Sequence, residues 1–459
     1  PSGRFRFPQL ALAAAVQSKK IILLGLLEKL SYASGSVASN LSWNMVAGFL
    51  VIYYTDTALI PAALVGTLVL VTRVGDAIFD PIVGVLVDRT HTRFGKTRPY
   101  LLFAAVPFAL TCVLVFSVPQ GWSIDAKLVY GYVTFALLGL LYSLLYVPYG
   151  ALQPLLTNDR NELLTVSGFR SVGTSVASIF VYGLATSAIA YFGGGAPGYR
   201  GAAAFFATCT TILFLITFFG CRERMQPGAT VDRSPLVRAI PRMLRNPIWL
   251  IVMPFELLTF IRLGFFATVM AFFAREVIGS GAAVAVLLPV MSVGILSGSL
   301  IGAPFLRTFQ KRRGTTYVLL FTIAIFTLVP VVSHDLLSFA VILFFGAMGT
   351  GIQAVMCYTL IAESVEYQHE RFGVRDTGLL TSFTAFTQKV GFALGSALVA
   401  WALALAGYHP DVANESVGHS LVILMCAIPI VIAVAQLAII SQYRLDGATT
   451  PRAKEQIST

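Results

Sequence analysis

Apolar residues come in long blocks along this chain, each about twenty residues or more, separated by short polar or Pro/Gly-rich breaks. A block of that length crosses the roughly 30 Å hydrocarbon core of a bilayer as one α-helix. Twelve spans are predicted, over 28–54, 63–88, 99–118, 127–152, 164–192, 201–220, 248–273, 282–305, 315–333, 336–362, 378–406 and 420–441. A soluble chain rarely shows even one such block. The pattern predicts an all-α polytopic membrane protein of twelve transmembrane helices.

Composition agrees. Of 459 residues, 57% are hydrophobic and 12% charged, about half the charged share of a soluble domain, which is near 25%. The net charge of +11 suggests nucleic acid until the charges are placed. With residue 1 in the cytoplasm, the even-numbered loops and both tails hold 24 Lys and Arg, and the odd-numbered loops hold three, Lys127, Arg200 and Arg275. That is the positive-inside pattern. It predicts a multi-pass inner-membrane protein with both termini cytoplasmic and no nucleic-acid partner. Residues 1–20 are basic but only briefly apolar, so no cleaved signal peptide is expected. The five Cys lie in or beside spans without metal-like spacing and read as small buried apolar residues.

The longest polar segment, 221–247, holds six Arg and four Pro and divides six spans from six. The expected organisation is a cytoplasmic tail over 1–27, a six-helix bundle over 28–220, a cytoplasmic linker over 221–247, a second bundle over 248–441 and a tail over 442–459. The halves echo each other. GVLVDRTHTRFGKTRPYLL (84–102) follows span two, and GAPFLRTFQKRRGTTYVLL (302–320) follows span eight. Two pseudo-symmetric six-span repeats are the plan of major facilitator transporters, whose substrate site lies between the halves at midplane.

Span two carries Arg73, Asp76 and Asp80 inside an apolar run. An Asp at a helix centre costs about 2.5–3.5 kcal/mol on insertion scales. Positions i and i+4 put both carboxylates on one helix face, with Arg73 one turn before Asp76. Two close carboxylates repel unless a metal ion, a proton or a cationic side chain sits between them. The functional reading is a cation site. The structural alternative is an ion-pair network with Arg73 and with Lys389 of span eleven.

Gly84, Asp88, Arg89, Arg93, Gly95 and Lys96 match the loop between spans two and three of the major facilitator superfamily. DAIFDP (76–81) with DRTHTRFGKTRP, VPYGAL (147–152) with GFR (168–170), and AESVEYQHERFGVRDTG (362–378) resemble the glycoside–pentoside–hexuronide:cation symporter family over essentially the whole chain. That family includes the melibiose permeases and the animal sodium-dependent lysophospholipid symporters. The resemblance implies a cation site on Asp76 and Asp80, with a span-four hydroxyl, here Ser143, and Na⁺ or H⁺ as coupling ion. Lys389 would balance the spare negative charge. No other cofactor is expected, and the chain is expected as a monomer.

Polar stripes mark a substrate side. Span one places Tyr32, Ser36, Asn40 and Asn44 at i+4 steps, span five brings Arg170 among Ser and Thr, span eleven brings Thr384, Gln388 and Lys389, and span four brings Tyr146. Such stripes line a wet cavity or bind helices to each other. The resemblance assigns Arg170 to a sugar-contacting Arg. The chain departs from the melibiose branch where Ser36 and Tyr146 replace sugar-binding carboxylates and Gly150 replaces an aromatic. The expected cargo is therefore a glycoside, oligosaccharide or uronide other than a simple α-galactoside. A lysophospholipid is the rival cargo on the same fold, and uniport without a cation is a further rival that the Asp pair argues against.

Asp88, Arg89, Arg93, Glu363, Arg371 and Arg375 fall in cytoplasmic loops and are candidates for salt bridges that hold an inner gate shut. An enzyme finds no support. The five His do not pair with a deep Ser or Cys in a recognisable order, and neither a metal motif nor a P-loop is present.

Overall fold

The computed structural model describes residues 23–157, 159–224, 241, 243–372, 377–410 and 415–443. The first half runs α1 (Leu26–Ile52), prolonged by a π-helical turn over Tyr53–Thr57, then α2 (Ala62–Arg89), α3 (Arg98–Phe103), α4 (Ala105–Val115), α5 (Ile124–Leu156), α6 (Arg160–Tyr191) and α7 (Gly195–Gly220). The second half runs α8 (Pro247–Glu276), α9 (Val284–Phe309), α10 (Lys311–Thr327), α11 (Val329–Val332), α12 (Leu336–Phe372), α13 (Thr377–Leu405) and α14 (Glu415–Ser441). Most of the expected linker lies outside the described residues.

Ten of these helices are long and apolar enough to cross a membrane. The two remaining expected spans, three and nine, are broken helices, α3–α4 and α10–α11. Pro107 and Pro330 fall just after the breaks at Ala104 and Leu328, and a proline removes an intrahelical donor and clashes with the carbonyl four residues back. Elsewhere the ends are capped. Asp159 accepts from the Glu162 amide at 2.8 Å, and Asn246 accepts from the Ile248 and Trp249 amides ahead of Pro247, so orphan N–H groups of these first turns are satisfied. Leu110, Val129, Val133, Leu300 and Val431 are exposed on the outer surface, where a hydrocarbon solvent makes their exposure favourable.

Within the first half α1 packs on α6 and α7, and α2 on α5. Within the second, α8 packs on α13, and α9 on α12. The halves meet where α2 lies on α13, α6 on α9 and α1 on α8. We call the face where α1 begins and α14 ends basal, and the other apical. The polar contacts that join the halves through Lys389, Trp401, Arg275 and Tyr408 lie at mid-depth or nearer the apical face. Gly66 sits against the Trp401 ring and Gly183 against Pro289, and Trp401 donates to Thr67 at 3.4 Å.

Candidate functional site

The α2 face carrying Asp76 and Asp80 turns toward α5 and α13. Ser143 of α5 is fully buried, with its Oγ 3.0 Å from Asp76 Oδ1 and 2.6 Å from Asp80 Oδ1. One hydroxyl carries one proton and satisfies one carboxylate at a time. The other contact brings two acceptor oxygens together, a geometry that a cation or an additional proton holds. From the opposite half, Lys389 Nζ reaches Asp76 Oδ2 at 3.2 Å and Asp80 Oδ2 at 2.7 Å. Arg73 is buried, 3.4 Å from Asp76 Oδ2, with its guanidinium 3.8 Å from the Trp43 ring centre and 4.6 Å from that of Phe135. Two carboxylates thus face two cations at mid-depth, and one of the cations belongs to the other half.

The remaining polar residues divide into two groups. Tyr32, Ser36 and Asn44 are buried, and their polar atoms are engaged within the first half. Ser36 donates to the Arg170 carbonyl at 2.8 Å, Asn44 donates to Ser178 at 3.0 Å, and Tyr32 donates to Gln153 at 3.3 Å while stacking on Tyr149. Half-buried Asn40 donates to the Ser36 carbonyl at 2.9 Å. In this conformation the α1 stripe is glue between α1 and its neighbours, because polar groups in a membrane helix pair with each other when water is absent. Thr384 is likewise buried and bonds back to the Leu380 carbonyl. The second group is half-buried or exposed. Arg170 donates to the Tyr146 hydroxyl at 3.3 Å, with its guanidinium 5.2 Å from the Tyr149 ring centre. Exposed Tyr358 of α12, in the other half, lies within electrostatic reach of Tyr146 and Arg170. Gln388 donates to Glu256 at 2.8 Å.

A latch closes the apical end. Asp56, in the π-turn that ends α1, pairs with Arg275 at the end of α8 and accepts from Tyr408, beyond α13, at 3.0 Å through each oxygen. Burial and the Asp56 carboxylate push the Tyr408 phenol well above its ordinary range, so it stays a donor. Among the described residues, the polar contacts between the halves thus lie at mid-depth and on the apical side.

The sequence model described as "MFS/sugar transport protein" matches residues 31–447. An "Isoprimeverose transporter" of Lactiplantibacillus pentosus is 31% identical, over 85% of this chain and 81% of its own. A "Putative glycoside/cation symporter YagG" of Escherichia coli K12 is 30% identical, over 94% of each chain. The chain belongs to the MFS/sugar transport protein family. Among solved structures, a bacterial homologue of the human lysosomal transporter Spinster superposes with a TM-score of 0.67 at 12% identity, over 90% of this chain and 95% of that one. At that identity the likeness shows the major facilitator fold alone. This member of the MFS/sugar transport family is a multi-pass membrane transporter and not an enzyme, and the resemblance to glycoside–cation symporters holds.

For a transporter of this family the candidate gate residues read differently from the latch. Glu363 pairs with Lys311 and accepts from Tyr443 at 2.7 Å, both within its own half. Arg89, Arg93 and Arg371 are exposed. The partners of Glu363 among the described residues both belong to its own half. The Asp88 side chain and Arg375 lie outside the described residues. Sequence reasoning missed Asp56, Tyr408 and Tyr358. Its one available signal was Arg275, a rare basic residue in an odd-numbered loop and the natural partner of an Asp at the same membrane face.

Proposed function

We propose that this transporter moves a glycoside together with a monovalent cation, with Asp76, Asp80 and Ser143 as the cation ligands. The carrying observation is the mid-depth cluster in which one hydroxyl and one lysine bridge two carboxylates, the lysine coming from the opposite half. Na⁺ prefers several oxygen ligands, as other hard cations do, and the cluster offers five oxygens from three residues. Lys389 stands where an added cation would relieve the carboxylates, so occupancy and the α2–α13 contact are linked. A proton on one carboxyl satisfies the second Ser143 contact equally, so Na⁺ and H⁺ are both admitted.

The substrate side of this reading is Arg170, Tyr146, Tyr358 and Gln388. A guanidinium fork suits paired oxygens of a sugar or uronide, and the tyrosines supply ring faces and hydroxyls. Tyr32, Ser36, Asn40, Asn44 and Thr384 join only through a rearrangement of their helices. With basic loops in the cytoplasm, basal means inside in this reading, and the cross-half contacts at mid-depth and on the apical side support an inward-open state. The names of the two relatives, an isoprimeverose transporter and a glycoside/cation symporter, support this class of cargo. The test is a thermal-shift screen of neutral glycosides, uronides and lysophospholipids with and without Na⁺ and across pH. Stabilisation by a glycoside or uronide that grows with the cation is expected. Stabilisation by lysophospholipids alone overturns the reading.

A further inference from the structure

Glu256 belongs to neither the Asp cluster nor the latch. It sits well inside α8, is 1% exposed, and one of its oxygens, Oε1, accepts from the Gln388 amide at 2.8 Å. The other oxygen, Oε2, is buried and has no hydrogen-bond partner among the described residues.

The surroundings supply no counter-charge. From α13, Lys389 is committed to Asp76 and Asp80. From α12 come Cys357 and Tyr358, both neutral hydrogen carriers. From α14 comes Gln436, whose amide is spent on the Phe255 carbonyl and Thr259. On α8 itself, Arg262 lies six residues on, off the face of Glu256; its Nη2 donates to Gln353 of α12, while its Nε and Nη1 have no hydrogen-bond partner among the described residues. The other packed helices, α1 and α9, carry Glu28, Lys29 and Arg307 only at their basal ends, and Tyr32 of α1 is stacked on Tyr149. An ionised carboxylate at that depth needs a cation or several donors, and this one has a single amide.

We propose that Glu256 is a proton-binding site of the transport cycle, separate from the Asp76–Asp80 cluster. In this conformation the proton rides on Oε2 and the group is a neutral carboxylic acid. It is exchanged when the second half rearranges around Gln388, whose neighbour Lys389 contacts the cation site. The role adds to the proposed symport but stands on the burial of Glu256. Loss of cation coupling in Asp76 or Asp80 variants and loss of this proton are therefore separate results.

The experiment is infrared difference spectroscopy of the full-length protein in lipid, in H₂O against D₂O, over a pH series. A protonated buried carboxyl gives a C=O stretching band that shifts on deuteration and fades reversibly as pH rises. The expected result is one such band that is lost in Glu256→Gln and kept in Asp76→Asn and Asp80→Asn. The Gln amide copies the shape of the protonated acid, so that variant should fold. A second variant, Glu256→Asp, should move the band rather than remove it. A Glu256→Gln spectrum that keeps every carboxyl band of the parent overturns the proposal, and so does an unmoved band in Glu256→Asp.

Discussion

At the residue scale, the Asp pair is legible in the sequence because charge inside an apolar helix has few reasons to exist, and the i, i+4 spacing fixes its face. Lys389 is legible only as a deep positive charge. Its contact with both carboxylates across the half boundary is a tertiary fact. The α1 stripe shows the limit from the other side. Its spacing marks a polar face, but glue and cavity lining share that spacing, and only packing separates Ser36 from Arg170. The two basic residues differ in kind, and so do their expected variants. Lys389→Ala leaves two buried carboxylates without their bridging cation, and breaking a buried pair costs about 3–5 kcal/mol. That variant should melt earlier than the parent and regain stability with Na⁺ or at low pH, read by melting curves across both. Arg170→Lys keeps the charge but loses the planar fork. It should weaken substrate binding about tenfold or more, with cation binding unchanged, when each ligand is titrated calorimetrically.

At the scale of elements, the repeat around Gly84 and Gly302 places Gly294 and Gly298 where the first half has Asp76 and Asp80. In the second half those glycines close directly on the α12 backbone, at Phe344 and Met348. In the first half the equivalent helices are held apart, and Asp76 lies against Gly139 of α5. One architectural slot is therefore a helix–helix seal in one half and an ion site in the other. The seal predicts that Gly298→Val destabilises by about 1–3 kcal/mol or more, since overpacking a tight contact forces backbone shifts. A melting temperature equal to the parent's would contradict it. The broken spans are less readable. Apolar length sets their existence, while the breaks fall within one turn before Pro107 and Pro330, although prolines inside α2, α5, α8, α9 and α14 leave those helices continuous.

At the scale of the whole molecule, the two-half organisation is written in the chain itself, in twelve apolar blocks and a basic segment between the sixth and the seventh. The state of the gate is not, because it depends on which loop charges meet across the halves. Asp56→Asn should unlatch the apical end. The pair is partly solvent-exposed through Arg275, so its worth is about 1 kcal/mol at most, a several-fold shift in population. Thiol labelling of a cysteine placed near Tyr408 should rise by that factor, and equal labelling in the parent would remove the latch from the mechanism.

The central claim is that Asp76 and Asp80 couple the cation gradient to the cargo. One positive charge moving inward with a neutral glycoside gains about 2.3 kcal/mol per 100 mV, enough for roughly 40- to 50-fold accumulation at about 1.4 kcal/mol per tenfold. The direct measurement is uptake of a glycoside identified by the stability screen into proteoliposomes under an imposed Na⁺ or H⁺ gradient and a negative interior potential. The parent should concentrate the sugar to that order and lose the accumulation when the gradient and potential are collapsed, and the Asp76→Asn/Asp80→Asn double variant should reach no more than equal concentrations on both sides. Full accumulation by the double variant would contradict the account.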